Sequence, residues 1–266
     1  MSIPLFTVDA FASGLFTGNP AAVVPPIDTP LNDELKQKIA AEMNLSETAF
    51  VERRPDGDGF GLRWFTPAVE VDLCGHATLA AAHALWEIGL LSADQPVRFH
   101  TRSGLLVCRR EGDRIAMDFP AIKSVPAPIA PEYGAALGAA PIHVARSRFD
   151  LLVELSSAQE VRRLNPDFSK IAPLNVRGWI VTACGDDPRY HCVSRFFAPR
   201  AGVNEDPVTG SAHCVLGPYW GAKLGLTRLT AYQASRRGGI LGLELRGDRI
   251  LLMGKAVTVL HAQLHL

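Results

Sequence analysis

Two short polar stretches carry the side chains of this chain that are best suited to chemistry. One is Asp72-Leu73-Cys74-Gly75-His76-Ala77-Thr78, and the other is Glu205-Asp206-Pro207-Val208-Thr209-Gly210-Ser211-Ala212-His213. Each enters an apolar run of small residues, a pattern that predicts a helix N-terminus, where unpaired N–H groups favour an anion. We expect these two helix starts to lie across one pocket from each other.

The polar residues of these stretches each have a structural and a functional interpretation. His76 falls in the first helical turn, where it would cap or pack; alternatively, the helix dipole would lower its pKa and leave a neutral ring facing a substrate. Asp206, before a proline, has the signature of an N-cap and could equally bind an amine or hydroxyl. Ser211 could cap the second helix or bind a substrate carboxylate. Gly75 and Gly210 would let the backbone approach a ligand.

Cys74 is the most ambiguous of these residues. A single cysteine is usually a small buried apolar group, but a position just before a helix N-terminus favours the thiolate. All five cysteines, at positions 74, 108, 184, 192 and 214, are scattered and include no C-x-x-C. This spacing predicts reduced thiols in a cytoplasmic protein, with neither a disulfide framework nor a zinc site. His261 and His265 lack a surrounding H-E-x-x-H, so we expect no metal ligands.

Length and charge narrow the classes of partner. The 266 residues suffice for one large domain or two lobes, and 27 Lys and Arg balance 27 Asp and Glu. The absence of a basic run disfavours nucleic-acid binding. No apolar run approaches the ~20 residues of a membrane helix, and the first residues do not resemble a signal peptide. We expect a cytoplasmic protein that acts on a small molecule.

The apolar pattern predicts alternating strands and helices in both halves of the chain. In the first half we expect strands near 6–8, 21–24, 49–51, 61–65, 97–108 and 114–119, with helices from 32 or 33 to 43 and over 77–90. A Pro- and Ala-rich connector spans 121–140. In the second half we expect strands near 142–146, 151–155, 178–183 and 191–198, helices at 157–164 and 212–224, and a hairpin of 239–246 with 249–265.

The two halves also share sequence. Arg63-Trp64-Phe65-Thr66-Pro67 recurs as Arg195-Phe196-Phe197-Ala198-Pro199, and Ile88-Gly89-Leu90 recurs as Leu224-Gly225-Leu226. Two further pairs follow in the same order, with starts at Ser103 and Gly238 and at Gly112 and Gly247. Four ordered matches at an offset near half the chain length predict a duplicated α/β unit. Paired lobes of this kind favour a ligand in the cleft that they share.

Several segments resemble the PhzF family, which is named for phenazine biosynthesis. They are Val8 to Phe11, Phe16 to Val24, Asn44 to Val51, Trp64 to Pro67, Cys74 to Thr78 and Glu205 to Ala212. The resemblance spans nearly the whole chain and implies the α+β fold of diaminopimelate epimerase. That fold has two pseudo-symmetric lobes, each a mixed or antiparallel β-sheet wrapped around a central helix. We expect one lobe at 1–120, completed by strand 255–266, and the other at 121–254.

The resemblance also implies roles for individual residues, a homodimer and isomerase chemistry without a cofactor. Read alone, Glu47 is a solvated charge in a loop between a helix and a strand. In the family it is the general acid/base, for which we expect an apolar pocket and a raised pKa. His76, Asp206 and Ser211 would contact the substrate.

Cys74 departs from the phenazine isomerase itself, which has a small non-thiol residue there, and this leaves the substrate open. Epimerase relatives of the fold use two cysteines, one from each lobe. The second loop here offers Asp206-Pro207-Val208 instead, and Cys214 lies a turn inside the helix. We therefore expect an isomerase in which Glu47 moves a proton between carbons of a small carboxylated, amino- or hydroxy-bearing substrate. The alternatives are an amino-acid-derivative epimerase that uses Cys74 with a second base, and a non-catalytic small-molecule-binding protein.

Overall fold

A computed structural model describes residues 2–266. The chain forms two compact units. The N-terminal unit comprises the described residues up to Asp118 together with Met253–Leu266, and the C-terminal unit comprises Phe119–Leu252. In chain order, the elements are β1 (Ser2–Ala10), β2 (Asn19–Val24), α1 (Asp33–Met43), β3 (Glu47–Arg53), β4 (Phe60–Phe65), β5 (Glu70–Val71), α2 (Gly75–Glu87), β6 (Val97–Thr101), β7 (Gly104–Glu111), β8 (Arg114–Pro120), β9 (Val125–Pro126), α3 (Pro131–Leu137), β10 (His143–Arg146), β11 (Asp150–Glu154), α4 (Ala158–Arg163), α5 (Phe168–Ile171), β12 (Gly178–Cys184), β13 (Cys192–Ala198), β14 (Val203–Asp206), α6 (Gly210–Leu224), β15 (Arg228–Gln233), β16 (Gly239–Arg246), β17 (Arg249–Gly254) and β18 (Ala256–His265).

In the N-terminal unit a mixed sheet packs against helix α2. Five strand pairs are antiparallel: β1 with β18, β1 with β2, β3 with β4, β6 with β7, and β7 with β8. Two pairs are parallel: β2 with β3, and β4 with β6. Helix α2 is buried over most of its length and contacts β1, β2, β3 and β18. Its alanines allow this close approach because they present little side-chain volume. Helix α1 packs elsewhere on the unit, over a core that includes Leu5, Val24, Ile39 and Phe50.

In the C-terminal unit a second mixed sheet packs against helix α6. Strand β12 runs parallel to β11 and antiparallel to β13, and β13 runs parallel to β15, which pairs antiparallel with β16. The indole N–H of Trp220 on α6 donates to Oγ1 of Thr182 in β12. On the other face of this sheet, side chains such as Trp179, Val181 and Phe197 form a core with residues of α3, α4 and α5. Each unit thus has the sheet-and-central-helix arrangement expected from the sequence.

The predicted duplication appears as a repeated ion pair. Arg63 of β4 donates through Nε and Nη2 to the two carboxylate oxygens of Glu70, at 2.7 and 2.8 Å. Arg195 of β13 donates in the same way to Glu205, again at 2.7 and 2.8 Å. In the second copy a short 3₁₀ turn at Pro199–Ala201 lengthens the loop between the partners. This extra turn makes the segment between Arg195 and Glu205 longer than the one between Arg63 and Glu70.

Local signals predicted several boundaries correctly. Asn32 caps α1 by accepting from the N–H of Leu35, and Asn44 ends the helix in the left-handed conformation, at φ 49°. The prediction of one strand over 97–108 was wrong, because a turn at Arg102-Ser103 divides this segment into β6 and β7. Gly104, which follows the turn, has a positive φ of 98°. The strand predicted over 249–265 is likewise two strands, which meet at Lys255.

Other differences concern the helices and the segment predicted as a connector. Helix α2 covers Gly75–Glu87 rather than 77–90, since Cys74 is its N-cap and Gly89 has a positive φ. The connector at 121–140 contains β9 and α3. Strands β14 and β15 and helix α5 were not predicted, because they are short or lack a clear apolar period. Within residues 2–266, no helix combines the length and apolar character needed to span a bilayer.

Candidate active site

In the N-terminal unit, Glu47 and His76 are brought together by a sheet edge and a helix start. Glu47 is the first residue of β3, opposite Ala21 of the parallel strand β2, rather than part of a loop as predicted. His76 is the second residue of α2, directly after the N-cap Cys74 and Gly75. Because α2 packs against β2 and β3, its N-terminus carries His76 to the start of β3.

The three ionisable side chains at this point form a compact cluster. Oε2 of Glu47 lies 3.2 Å from Nε2 of His76, and Sγ of Cys74 lies 3.5 Å from Nδ1 of the same ring. Oε2 and Nε2 are both buried, yet neither has an aligned hydrogen bond in the described chain. The pair is therefore an ion contact whose hydrogen-bonding capacity is still available to a ligand.

Asn19 belongs to the same cluster, although the sequence analysis did not single it out as a site residue. Its Nδ2 lies 3.2 Å from Nδ1 of His76, and its Oδ1 accepts from the hydroxyl of Ser46 at 3.4 Å. An amide N–H can only donate, so this contact is a hydrogen bond in the neutral ring, where Nδ1 accepts; in the protonated ring Nδ1 donates, and the Asn19 amide must turn its oxygen towards it. A polar Asn directly before an apolar strand, in Thr17-Gly18-Asn19-Pro20, is the sequence signal that could have identified it.

A tight backbone approach holds Asn19 in place. Gly18 has φ 74°, and a Cβ built on it would lie 2.3 Å from the carbonyl oxygen of Ala10. Only glycine accepts both this conformation and this proximity. The turn therefore fixes where β2 begins, and with it the position of the Asn19 amide.

The charge states in this cluster differ from those expected from sequence. Burial favours the neutral acid, but the positive charge of the adjacent His76 ring holds the pKa of Glu47 below its ordinary value. Burial also opposes the imidazolium, yet Cys74 and Glu47 raise the pKa of His76 well above its ordinary value. The expectations of a raised pKa for Glu47 and a lowered one for His76 were wrong, because each group is the other's counter-ion.

Cys74 is a protonated thiol at neutral pH. Burial and the carboxylate of Glu47 raise its pKa to about 11, which outweighs the favourable contact with the N–H of Ala77. Of the two interpretations of Cys74, the structure therefore favours the buried neutral group, chiefly because burial disfavours the thiolate and also because the carboxylate of Glu47 lies close by. As a neutral group, Cys74 is suited to lining the cluster and donating a weak hydrogen bond.

The same three side chains could also hold a metal ion. One donor atom from each of Glu47, Cys74 and His76 lies within 4.8 Å of the other two. Carboxylate, thiolate and imidazole are all ligands of Zn²⁺. Sequence spacing concealed this set, because Glu47 is distant in the chain from the other two residues.

In the C-terminal unit, the loop before α6 is held by internal hydrogen bonds. Thr209 is the N-cap, so the predicted N-cap role of Asp206 was wrong. Oδ2 of Asp206 instead accepts from the hydroxyl of Thr209 at 2.5 Å. The fully buried amide of Gln233 accepts from the N–H of Thr209 at 2.8 Å and donates to the backbone oxygen of Asp206 at 2.8 Å. Gln233, which sequence reasoning missed, thus shapes this loop.

Ser211 and Gly210 occupy the first turn of α6. Gly210 is the first helical residue, as Gly75 is in α2. Ser211 does not cap the helix; its hydroxyl oxygen accepts from Nη2 of Arg177 at 3.0 Å. Arg177 is itself held by the buried carboxylate of Asp150, with Nε to Oδ1 at 2.8 Å. The structure thus adds a guanidinium beside the predicted serine, for which the sequence carried no local signal.

The second helix start offers no counterpart to Cys74. The equivalent N-cap residue is Thr209, a hydroxyl that is already engaged by Asp206 and Gln233. Cys214 lies within α6, and burial raises its pKa to about 12. This arrangement agrees with the sequence-based argument against two paired cysteines.

Comparisons with known proteins identify the family. The model of the phenazine biosynthesis-like protein family matches residues 8–262. The chain is 51% identical to an uncharacterised isomerase of Halalkalibacterium halodurans over 99% of each chain. It superposes on a PhzF-family protein of Enterococcus faecalis with a TM-score of 0.95 and 43% identity, over 100% of both chains.

A more distant solved structure bears on the fold alone. A predicted epimerase of Pseudomonas aeruginosa superposes with a TM-score of 0.75 at 22% identity, over 98% of this chain and 99% of that one. The likeness confirms the α+β architecture expected from the sequence. With the family match and the relatives above, the conclusion is direct: the chain belongs to the phenazine biosynthesis-like (PhzF) family and is an enzyme of the isomerase class.

Proposed function

We propose that the enzyme moves a proton between two carbons of a small carboxylated substrate that bears an amino or hydroxyl group, with Glu47 as the general acid/base. The observation that carries this proposal is the buried contact between Oε2 of Glu47 and Nε2 of His76. Two charged atoms without aligned hydrogen bonds, 3.2 Å apart, suit a site that completes its bonding when substrate binds.

Glu47 has the properties of a base that later becomes an acid. Its lowered pKa keeps it ionised at neutral pH, so it can accept a proton from carbon in the first step. The resulting carboxylic acid then lies beside a positive His76, which favours loss of the proton to a second carbon. One side chain can therefore perform both transfers without a cofactor.

His76 and Asn19 support this transfer. A protonated His76, as its raised pKa implies, would stabilise negative charge that develops on the substrate after deprotonation. Asn19 contacts the other ring nitrogen and orients the imidazole. We assign Asn19 as a positioning residue.

Substrate binding is assigned to the loop and first turn of α6. Asp206 supplies a carboxylate suited to an amine or hydroxyl. Ser211 and the adjacent Arg177 supply a hydroxyl and a guanidinium suited to a carboxylate. Gly75 and Gly210 stand at the first positions of their helices, where backbone N–H groups are unpaired.

The direct test measures turnover of dihydro-hydroxyanthranilate-type substrates in D₂O. If one carboxyl serves both carbons, part of the substrate's own hydrogen should be retained in the product. Glu47→Gln should lower kcat by about 10²- to 10⁴-fold. Glu42→Gln, at an exposed position on α1, is the matched control and should not change kcat. Unchanged turnover in the Glu47→Gln protein would refute the assignment.

The alternative is an epimerase that uses Cys74 with a second base. The proximity of Cys74 to His76 and Glu47 supports it, whereas the raised pKa of the thiol weighs against it. Exchange of a substrate α-hydrogen with solvent that Cys74→Ser abolishes and Glu47→Gln preserves would favour this alternative.

A further inference from the structure

Two cysteines of the C-terminal unit lie directly opposite each other on neighbouring strands. Cys184 is the last residue of β12, Cys192 is the first residue of β13, and the antiparallel register pairs them. Both are free thiols. Opposed residues of an antiparallel ladder project to the same face of the sheet, so the two sulfurs are on the same side.

The hydrogen-bond pattern shows which kind of pair they form. Thr182 and Ser194 form the pair that lies two residues along the ladder from Cys184 and Cys192. The backbone oxygen of Thr182 accepts from the N–H of Leu155, and the backbone oxygen of Ser194 accepts from the N–H of Ala234. Both oxygens therefore point away from the β12–β13 interface, which makes Thr182 and Ser194 a non-hydrogen-bonded pair. With a period of two, Cys184 and Cys192 are a pair of the same kind.

A non-hydrogen-bonded pair brings its residues closest. Its Cα atoms are about 4.5 Å apart, which lies within the range of about 4.4–6.8 Å that a disulfide spans. The hairpin is closed just beyond the pair, where the N–H of Gly185 donates to the oxygen of His191 at 3.0 Å. Cys184 and Cys192 can therefore be bridged without moving the strands apart.

Exposure makes the pair selective for reaction. All five cysteines lie in the described part of the chain, and of these Cys184 alone is exposed. Cys192, directly opposite it on the neighbouring strand, is fully buried. An exposed thiol beside a second, sheltered thiol is the arrangement of an oxidisable cysteine with its resolving partner.

We propose that Cys184 and Cys192 are a redox modification site that reacts with hydrogen peroxide to form a cross-strand disulfide. The sulfur of Cys184 attacks one peroxide oxygen and breaks the O–O bond, which gives a sulfenic acid and one water. The sulfur of Cys192 then attacks that of Cys184 and displaces hydroxide, which takes up the thiol proton to give a second water. Two thiols are oxidised by two electrons in total, and one peroxide is reduced to two waters.

The test treats the full-length protein with hydrogen peroxide and reads intact mass and tryptic peptides. Arg189 lies between the two cysteines, so trypsin separates them unless a disulfide joins the fragments. We expect the wild type to lose two hydrogens, to yield one linked peptide pair and to recover its mass with dithiothreitol. The proposal does not rest on the isomerase assignment, because neither readout involves turnover.

Single variants distinguish the roles of the two thiols. In Cys192→Ser, Cys184 should lack a resolving partner and gain two oxygens as sulfinic acid; Cys192→Ala serves if the buried serine prevents folding. In Cys184→Ser, the remaining thiols should stay unmodified at the same peroxide dose. The proposal is overturned if wild-type Cys184 gains oxygens without forming the linked pair, or if the disulfide joins other cysteines or separate molecules.

Discussion

Oε2 of Glu47 lies 3.2 Å from Nε2 of His76, and neither atom has an aligned hydrogen bond within the described chain. Each group determines the charge of the other: the carboxylate helps to keep the ring protonated, and the ring keeps the carboxylate ionised. The site is therefore an ion pair in a sheltered position, whereas the sequence led us to expect a raised pKa for Glu47 and offered a neutral ring as one interpretation of His76.

This pair predicts how stability depends on pH. The contribution of Glu47 is present above its unfolded pKa of 4.5 and is lost as pH falls through its lower folded pKa. The contribution of His76 is complete below its unfolded pKa of 6.5 and is lost as pH rises through its higher folded pKa. The Tm difference between Glu47→Gln and the control Glu42→Gln should therefore be largest between pH 4.5 and pH 6.5, the unfolded pKa values of the two groups. Thermal denaturation across pH measures it, and a constant difference would contradict the ion pair.

Activity should keep its base at moderately acidic pH. Because the pKa of Glu47 is lowered, the acid limb of kcat/KM should fall below pH 4.5. A rate profile over a pH range in which the protein stays folded measures this limb. A limb near neutrality would show that Glu47 titrates as originally expected from an apolar pocket.

Removal of the Asn19 amide should impair catalysis without removing a reacting group. Asn19→Ala should lower kcat by about 10- to 100-fold, as is typical when a partner that orients a functional imidazole is lost. Because the ring is then less constrained, the pH profile should shift as well. A purely structural role would lower Tm but leave the kcat profile of the folded enzyme unchanged.

Ser211→Ala should weaken substrate binding. Loss of a hydrogen bond to a charged group costs about 1.5–3 kcal/mol, so KM should rise by about 10- to 100-fold with a smaller change in kcat. This substitution leaves Arg177 on its buried partner Asp150 and so spares the fold. Ser169→Ala, at an exposed position on α5, is the control. An unchanged KM for Ser211→Ala would remove this residue from the substrate site.

Metal ions test whether the donor set of Glu47, Cys74 and His76 serves acid/base chemistry. Enzyme treated with EDTA should retain its activity, because Glu47 acts as a free carboxylate. Added Zn²⁺ should inhibit by binding Glu47 and His76, and Cys74→Ser should weaken this inhibition. Activity that EDTA abolishes and Zn²⁺ restores would identify a metal-dependent site.

Gly18 should be more sensitive to substitution than another glycine with the same backbone conformation. Gly57 has φ 72° and open space around it, whereas Gly18 has φ 74° and the oxygen of Ala10 within 2.3 Å of an added Cβ. Gly57→Ala should show the cost of the left-handed conformation alone, about 1–2 kcal/mol. Gly18→Ala should lower the free energy of unfolding further. Equal effects in denaturant titrations would show that the turn can relax.

Sequence alone determined the architecture to a large extent. The repeated motifs indicated two similar units, and strong local signals such as Asn32 and Asn44 located the ends of α1. It also selected Glu47, His76, Asp206 and Ser211, because a family motif records residue types in order. Short elements such as β14 and β15 were not predicted from the sequence, since tertiary pairing rather than local periodicity stabilises them.

Only the tertiary structure decided which groups touch and what charge they carry. A pKa depends on burial and on neighbours that are distant in sequence, so no local pattern could reveal that Glu47 and His76 reverse each other's expected shifts. The same holds for Asn19 behind the ring, Arg177 beside Ser211 and Cys184 opposite Cys192. Contacts of this kind depend on strand register and helix packing, which place residues of separate segments within a few ångströms.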